Sequence, residues 1–215
     1  LDRHHVDVIR TQATGLDGTA IGKYIHRAKF VNTLPSGHGI ADMALAMDIT
    51  GSPHMNFWHG FRRGTFGDIC LKPDLETLTP DGNDPNLGHC IAEFAHVDGA
   101  PISLCPRTSL GNVTRMVESL GYSIKATFEL EFHLFADSFA NIRRGKYGHF
   151  ENASSSNSIY SLRSAFHAKP FMDEVTRRLD YLQIEWEGWN DEAGVSQLEL
   201  NLKPGNPVQV ADNAV

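Results

Sequence analysis

The chain has 215 residues, 41% hydrophobic and 21% charged, with a formal net charge of −7. That length suffices for one large domain or two small ones with a real core, and the acidic balance speaks against a nucleic-acid partner, which would favour a basic patch. No apolar run approaches the roughly 18 residues of a membrane span, and Leu1-Asp2-Arg3-His4-His5 lacks the apolar stretch of a signal peptide. The three cysteines, Cys70, Cys90 and Cys105, are too scattered for a disulfide framework or a CxxC site and read as reduced structural thiols. A cytoplasmic protein with neither a membrane nor a nucleic-acid partner is therefore expected. The eleven histidines are spread along the chain without HxxxH spacing on a clear helix. They read as surface and hydrogen-bonding groups rather than a metal site.

In chain order, the first hundred residues read as strands and turns. Val6 and Val8 alternate with polar residues, as in a half-buried strand. Thr14-Gly15-Leu16-Asp17-Gly18 carries turn chemistry, and the pattern resumes over residues 21–30. Ser36-Gly37-His38-Gly39 reads as a loop. Met43 to Ile49 is apolar with Asp48 near its end, and residues 51–67 read as loop. Asp68-Ile69-Cys70-Leu71 is a short strand closed by Pro73. After a polar turn over Asp81 to Asn86, His89 to His96 is a strand and Asp98-Gly99-Ala100-Pro101 a tight turn.

The character changes near Pro106. Thr108 or Ser109 is placed to cap a helix whose apolar residues are Leu110, Val113, Met116, Val117 and Leu120, ended by Gly121. Residues 124–135 read as a strand. Residues 137–158 are polar and form a long loop with few anchors, expected to be poorly ordered. Pro170 suits the first position of a second amphipathic helix marked by Met172, Val175, Leu179 and Leu182. Gln197 to Leu202 is a last strand. The residues from Val208 read as a helix just beginning, so the chain looks cut short. The expected architecture is two α+β domains, a strand-rich one over residues 1–104 and a second over 105–215.

Two segments carry chemistry. In Phe128-Glu129-Leu130-Glu131-Phe132, residues two apart share a strand face, so Glu129 and Glu131 project together while the apolar residues face a core. Paired carboxylates need positive charge opposite them. An exposed face, Lys or Arg partners, or a divalent cation of the type that prefers oxygen ligands would each serve. In the second segment Gln197, Glu199 and Asn201 share one face and Leu198, Leu200 and Leu202 the other, with Glu192 just ahead in the turn Asn190-Asp191-Glu192-Ala193-Gly194. Alone, this reads as a polar sheet face beside an acidic turn.

Together these segments resemble the glutamine synthetase family. The Glu129-Leu130-Glu131-Phe132-His133-Leu134-Phe135 run resembles its first metal-ligand strand. Glu192-Ala193-Gly194-Val195-Ser196-Gln197-Leu198-Glu199 resembles its Glu-x-x-Pro-Gly-Gln-x-Glu element, with equal spacing between the outer glutamates. Ala211-Asp212-Asn213 fits the segment that follows. Asp17-Gly18-x-x-x-Gly22-Lys23, the run from Gly67-Asp68 through Pro73-Asp74-Leu75 to Thr77-Leu78, and Pro106-Arg107-x-x-Leu110 are similar to its earlier motifs, in the same order.

The resemblance implies a β-grasp-like N-terminal domain and the first part of an antiparallel-sheet catalytic domain. It implies that Glu131, Glu192 and Glu199 hold a Mg²⁺ or Mn²⁺ ion facing the amino-acid substrate, that Glu129 holds a second ion at the ATP phosphates, and that the four converge. Asp48 would match an aspartate that reaches a neighbouring subunit's active site and helps bind and deprotonate ammonium. A capped turn is the other reading of Asp48. The implied activity is ligation of the glutamate γ-carboxylate to ammonia through an acyl phosphate made from ATP, in a ring-forming homo-oligomer. Two departures, Ser196 in place of a glycine and Asn190-Asp191 in place of paired histidines, bring the chain closer to the branch that glutamylates polyamines and other alkylamines. A non-catalytic assembly or binding relative, and an unrelated metal-dependent hydrolase, are the rival readings.

Overall fold

The computed structural model describes residues 5–54, 66–145, 147–154 and 159–215. They fall into two compact units, one comprising residues 1–124 with 207–213 and 215, the other 125–206 with 214. The first unit begins with β1 (Val8–Thr14), β2 (Ala20–His26), α1 (Arg27–Thr33) and β3 (His38–Ala41). It continues with β4 (Asp68–Pro73), β5 (Thr79–Pro80), β6 (Leu87–Ala95) and α2 (Pro106–Ser119). The second unit holds β7 (Glu129–His133), α3 (Phe139–Arg143), α4 (Leu162–Tyr181), β8 (Trp186–Asp191) and β9 (Gln197–Leu202), and the chain closes with α5 (Pro207–Ala214). The class is α+β, as expected.

The first unit is built on a sheet of order β2-β1-β6-β4-β3, with β5 added on β6. β1 and β6 run parallel, Val8 facing Leu87, and the other pairs are antiparallel. Strict alternation along β6 buries Gly88, Cys90, Ala92 and Phe94 and leaves the residues between them half-buried. The core gathers Ile9, Phe30, Leu45, Ile69, Leu71, Phe94 and Ile102. Full burial of such side chains stabilises by roughly 1.5–3 kcal/mol each. Gly22 lies opposite Gln12 in the β1–β2 ladder, and a Cβ there would stand 2.0 Å from the Thr11 carbonyl oxygen, so no other residue fits.

Several sequence expectations give way here. The extended stretch over 21–30 breaks at His26, whose ring accepts a hydrogen bond from the Ala28 N–H and caps α1. His38 is not in a loop and not on the surface: it begins β3, is buried, and its Nδ1 lies 2.6 Å from the Thr33 hydroxyl. The apolar segment at 43–49 contains a 3-10 turn, Asp42–Leu45. Helix α2 starts at Pro106, which has no N–H to leave unsatisfied. Ser109 instead donates to the Ser103 carbonyl. The apolar stripe Val113, Met116 and Leu120 is exposed, and α2 buries Thr108 and Thr114. Residues 55–65 of the expected loop lie outside the described residues.

In the second unit β7, β9 and β8 form an antiparallel sheet in that order. One face is apolar: Leu130, Phe132, Leu198, Leu200, Trp186 and Trp189 pack with Ala168, Met172, Val175 and Leu179 of α4. α4 begins eight residues before Pro170, at a Ser161 cap whose hydroxyl accepts from the Ser164 N–H, and Pro170 sits inside it. Within the expected loop of 137–158, residues 139–143 form α3 and 147–149 a 3-10 turn. Residues 146 and 155–158 lie outside the described residues.

Candidate functional site

The other face of the β7-β9-β8 sheet is polar, and pairing sets its layout. Glu131 stands opposite Glu199, and Glu199 opposite Asn190, so these three side chains form a row across three strands. The next row holds Glu129 opposite Asn201, and the row on the other side His133 opposite Gln197. Directly opposed side chains in an antiparallel pair have Cβ atoms about 5 Å apart, and like charges there destabilise.

Amide side chains occupy the gaps. Gln197 Nε2 donates to Glu131 Oε2 at 2.7 Å, and its Oε1 accepts from the Gly194 N–H at 2.8 Å. A Cβ at position 194 would lie 2.6 Å from that same Oε1 and 2.8 Å from the His133 ring, so a larger residue there would displace the Gln197 amide. Asn190 Nδ2 lies 3.2 Å from Glu192 Oε1, 3.3 Å from Glu199 Oε2 and 3.2 Å from the Asp191 carbonyl. Glu192 Oε2 also accepts from the Ala193 N–H. His133 Nδ1 lies 3.0 Å from the Val195 carbonyl oxygen.

Glu192 and Glu199 are thus bridged by the Asn190 amide, Glu131 is tied by the Gln197 amide to the Gly194 backbone, and Glu129 shares the sheet face one row away. Among the described residues, no three His, Cys, Asp or Glu side chains are gathered closely enough to hold one ion. The donor chemistry nonetheless fits a hard divalent cation: four carboxylates, with the buried Asn201 Oδ1 lacking a hydrogen-bond partner opposite Glu129. Asn190 and Asp191 belong to β8 rather than to the acidic turn. Asn201 and Gln197 were marked in the sequence by their two-residue spacing from Glu199, but nothing there signalled the bond to Glu131.

Asp48 lies in the first unit and is engaged in its own turn. Its Oδ1 accepts from the Thr50 hydroxyl, the Thr50 N–H and the Ser52 N–H at 2.7, 2.8 and 3.0 Å. These bonds, the Thr50 hydroxyl foremost, hold its carboxyl below the ordinary aspartate range.

The profile of the glutamine synthetase catalytic domain matches residues 103–215. The chain is 29% identical over 218 residues to a glutamate–isopropylamine ligase of Pseudomonas sp, covering all of this chain and 47% of that protein. It is 21% identical over 207 residues to type-1 glutamine synthetase 2 of Dictyostelium discoideum, covering 96% of this chain and 40% of that one. A crystal structure of a novel glutamine synthase homolog superposes with a TM-score of 0.76 at 23% identity, over 97% of this chain and 46% of the other. The chain belongs to the glutamine synthetase family. It spans about half the length of the curated relatives it matches. Among the described residues, no helix is long and apolar enough to cross a membrane.

Proposed function

We propose that the protein uses ATP to form an amide between the γ-carboxylate of glutamate and a small alkylamine, through an acyl phosphate. The observation that carries this reading is the acidic sheet face, where Glu131, Glu199 and Asn190 stand in one row within the family-matched residues. Glu131, Glu192 and Glu199 would hold one Mg²⁺ or Mn²⁺ ion, and Glu129, beside Asn201, a second. Bound there, the cations would screen the phosphate and carboxylate charges as these approach. The apolar face packs on α4, so Glu129, Glu131 and Glu199 are positioned by strand pairing, while Glu192 is carried by the turn between β8 and β9.

Asp48 is assigned to the amine. Held ionised by its three hydrogen bonds, it suits binding of a cationic amine in a neighbouring subunit of a ring-forming oligomer. The catalytic domain is taken to begin near residue 105, after a β-grasp-like domain. The alkylamine reading is supported by the Pseudomonas relative, whose name states that acceptor, and by Ser196 and Asn190-Asp191. Ammonia is the second reading, supported by the Dictyostelium relative.

The test uses the full-length gene product with glutamate, ATP and Mg²⁺, offered isopropylamine, ethanolamine, putrescine or ammonia in turn. Phosphate release and the mass of the amide are read. A higher kcat/KM with an alkylamine than with ammonia is expected, and Glu131→Ala should abolish turnover. Amide formation with ammonia alone would establish the second reading. No amine-dependent phosphate release with any acceptor would overturn the ligase assignment, and sedimentation as a monomer at micromolar concentration would overturn the ring.

A further inference from the structure

We infer that the side-chain amides of Asn190 and Gln197 are positioning residues that hold three proposed metal ligands, Glu131, Glu192 and Glu199, in one arrangement. The inference rests on the metal-site reading above and extends it to two side chains that carry no charge.

Glu131 and Glu199 face each other directly across β7 and β9, so without a restraint their carboxylates would swing apart. Gln197 ties Glu131 to the Gly194 backbone through both ends of its amide. Asn190 presents two N–H groups to Glu192, Glu199 and the Asp191 carbonyl. Each amide engages a single oxygen of its glutamate on the sheet. Among the described residues, Oε1 of Glu131 and Oε1 of Glu199 accept no hydrogen bond. A lysine or arginine in either place would also restrain the carboxylates, but its charge would compete with a cation. A neutral amide supplies the donor and leaves the negative charge uncompensated. The arrangement is therefore suited to orienting acids for a cation rather than to neutralising them.

The experiment measures Mn²⁺ affinity of the metal-free, full-length gene product by the electron paramagnetic resonance signal of free Mn²⁺. Wild type is compared with Asn190→Leu, Gln197→Met and Glu131→Gln. Loss of groups that orient ligands weakens metal binding by about 10–100-fold. Each amide variant should fall in that range while its metal-free melting temperature stays near that of wild type. If Asn190→Leu lowers the metal-free melting temperature, Asn190→Ser replaces it, since serine removes the reach without adding bulk. Wild-type affinity in both amide variants, with Glu131→Gln impaired, would overturn the positioning role and leave the metal site standing. Wild-type affinity in Glu131→Gln would remove the metal site itself, and the inference with it.

Discussion

Arg107 and Asp212 are 105 positions apart in the chain and meet in a two-pronged ion pair, Nε to Oδ1 and Nη2 to Oδ2, both at 2.9 Å. The same guanidinium donates to Asp74 at 2.6 Å and to Glu93 at 3.0 Å, and it is mostly buried. Burial alone would favour loss of its proton, but the carboxylates of Asp212 and Asp74 more than reverse this and hold it above its ordinary range. Three acids therefore depend on one cation. Arg107→Ala should destabilise by about 3 kcal/mol, because it leaves the acids uncompensated. Arg107→Lys should recover part of this, since one ammonium lacks the planar fork that serves several acceptors. Chemical denaturation of both variants measures the order; equal stability of Arg107→Ala and wild type would contradict it.

His38 is buried against Phe30, with ring centroids 5.0 Å apart, and its Nε2 has no hydrogen-bond partner. Burial, then the nearby charges of Lys29 and Lys23, push its pKa below the ordinary histidine value. The unfolded chain thus binds a proton at a pH where the folded chain resists it. The stabilising contribution is complete above the unfolded value of 6.5 and is lost as pH falls through the lower folded value. Melting temperature should drop more between pH 7.5 and 5.5 for wild type than for His38→Asn, which does not titrate. Parallel curves for the two proteins would count against this role.

Ser196 adopts a left-handed backbone, φ 56°, just before β9. That conformation costs a non-glycine residue roughly 1 kcal/mol. Its hydroxyl accepts from the Ser154 N–H at 2.6 Å and donates to the Ser154 carbonyl at 2.9 Å, both buried. Ser196→Gly relieves the strain but removes both buried hydrogen bonds to Ser154, each worth about 0.5–1.5 kcal/mol. A net loss near 1 kcal/mol is expected. Ser196→Ala keeps the strain and loses both bonds, so the stability order should be wild type, then glycine, then alanine. Thermal or urea unfolding ranks the three.

Pro170 is exposed inside α4. It supplies no N–H to the carbonyl four residues earlier, at Phe166, and proline inside a helix costs about 3 kcal/mol relative to alanine. Proline returns up to about 1 kcal/mol by restricting the unfolded chain. Pro170→Ala should stabilise by about 2 kcal/mol. A fall in melting temperature would show that the ring makes contacts that outweigh the helix term.

The polar sheet face was legible because its signal is local. The alternation from Gln197 to Leu202 assigns each side chain to a face with no knowledge of the rest of the chain, and β9 spans those residues. β8 was missed for a physical reason. A bulge shifts its register between Trp186 and Gly188, so Trp186 and Trp189 reach the same apolar cluster although three apart. With the two-residue period broken, Asn190 and Asp191 read as turn. The start of α4 was hidden because it buries small residues, Ser164, Ala165 and Ala168, while Leu162 and Phe166 are exposed. Pro170 then offered a false first turn. The Asn190 and Gln197 hydrogen bonds depend on which strands pair, which no single segment encodes.

The second unit is inserted, in chain order, between α2 and α5 of the first. On a ribosome, Arg107 is synthesised before the 105-residue interval that ends at Asp212. At about 5–20 residues per second, its partner follows roughly 5–20 s later. During that interval Asp74 and Glu93 are the acids of the network already made, and Arg107 carries its charge without its two-pronged partner. The first unit, although it leads the sequence, is completed last, and the insertion has time to pair β7, β8 and β9 before α5 closes the network.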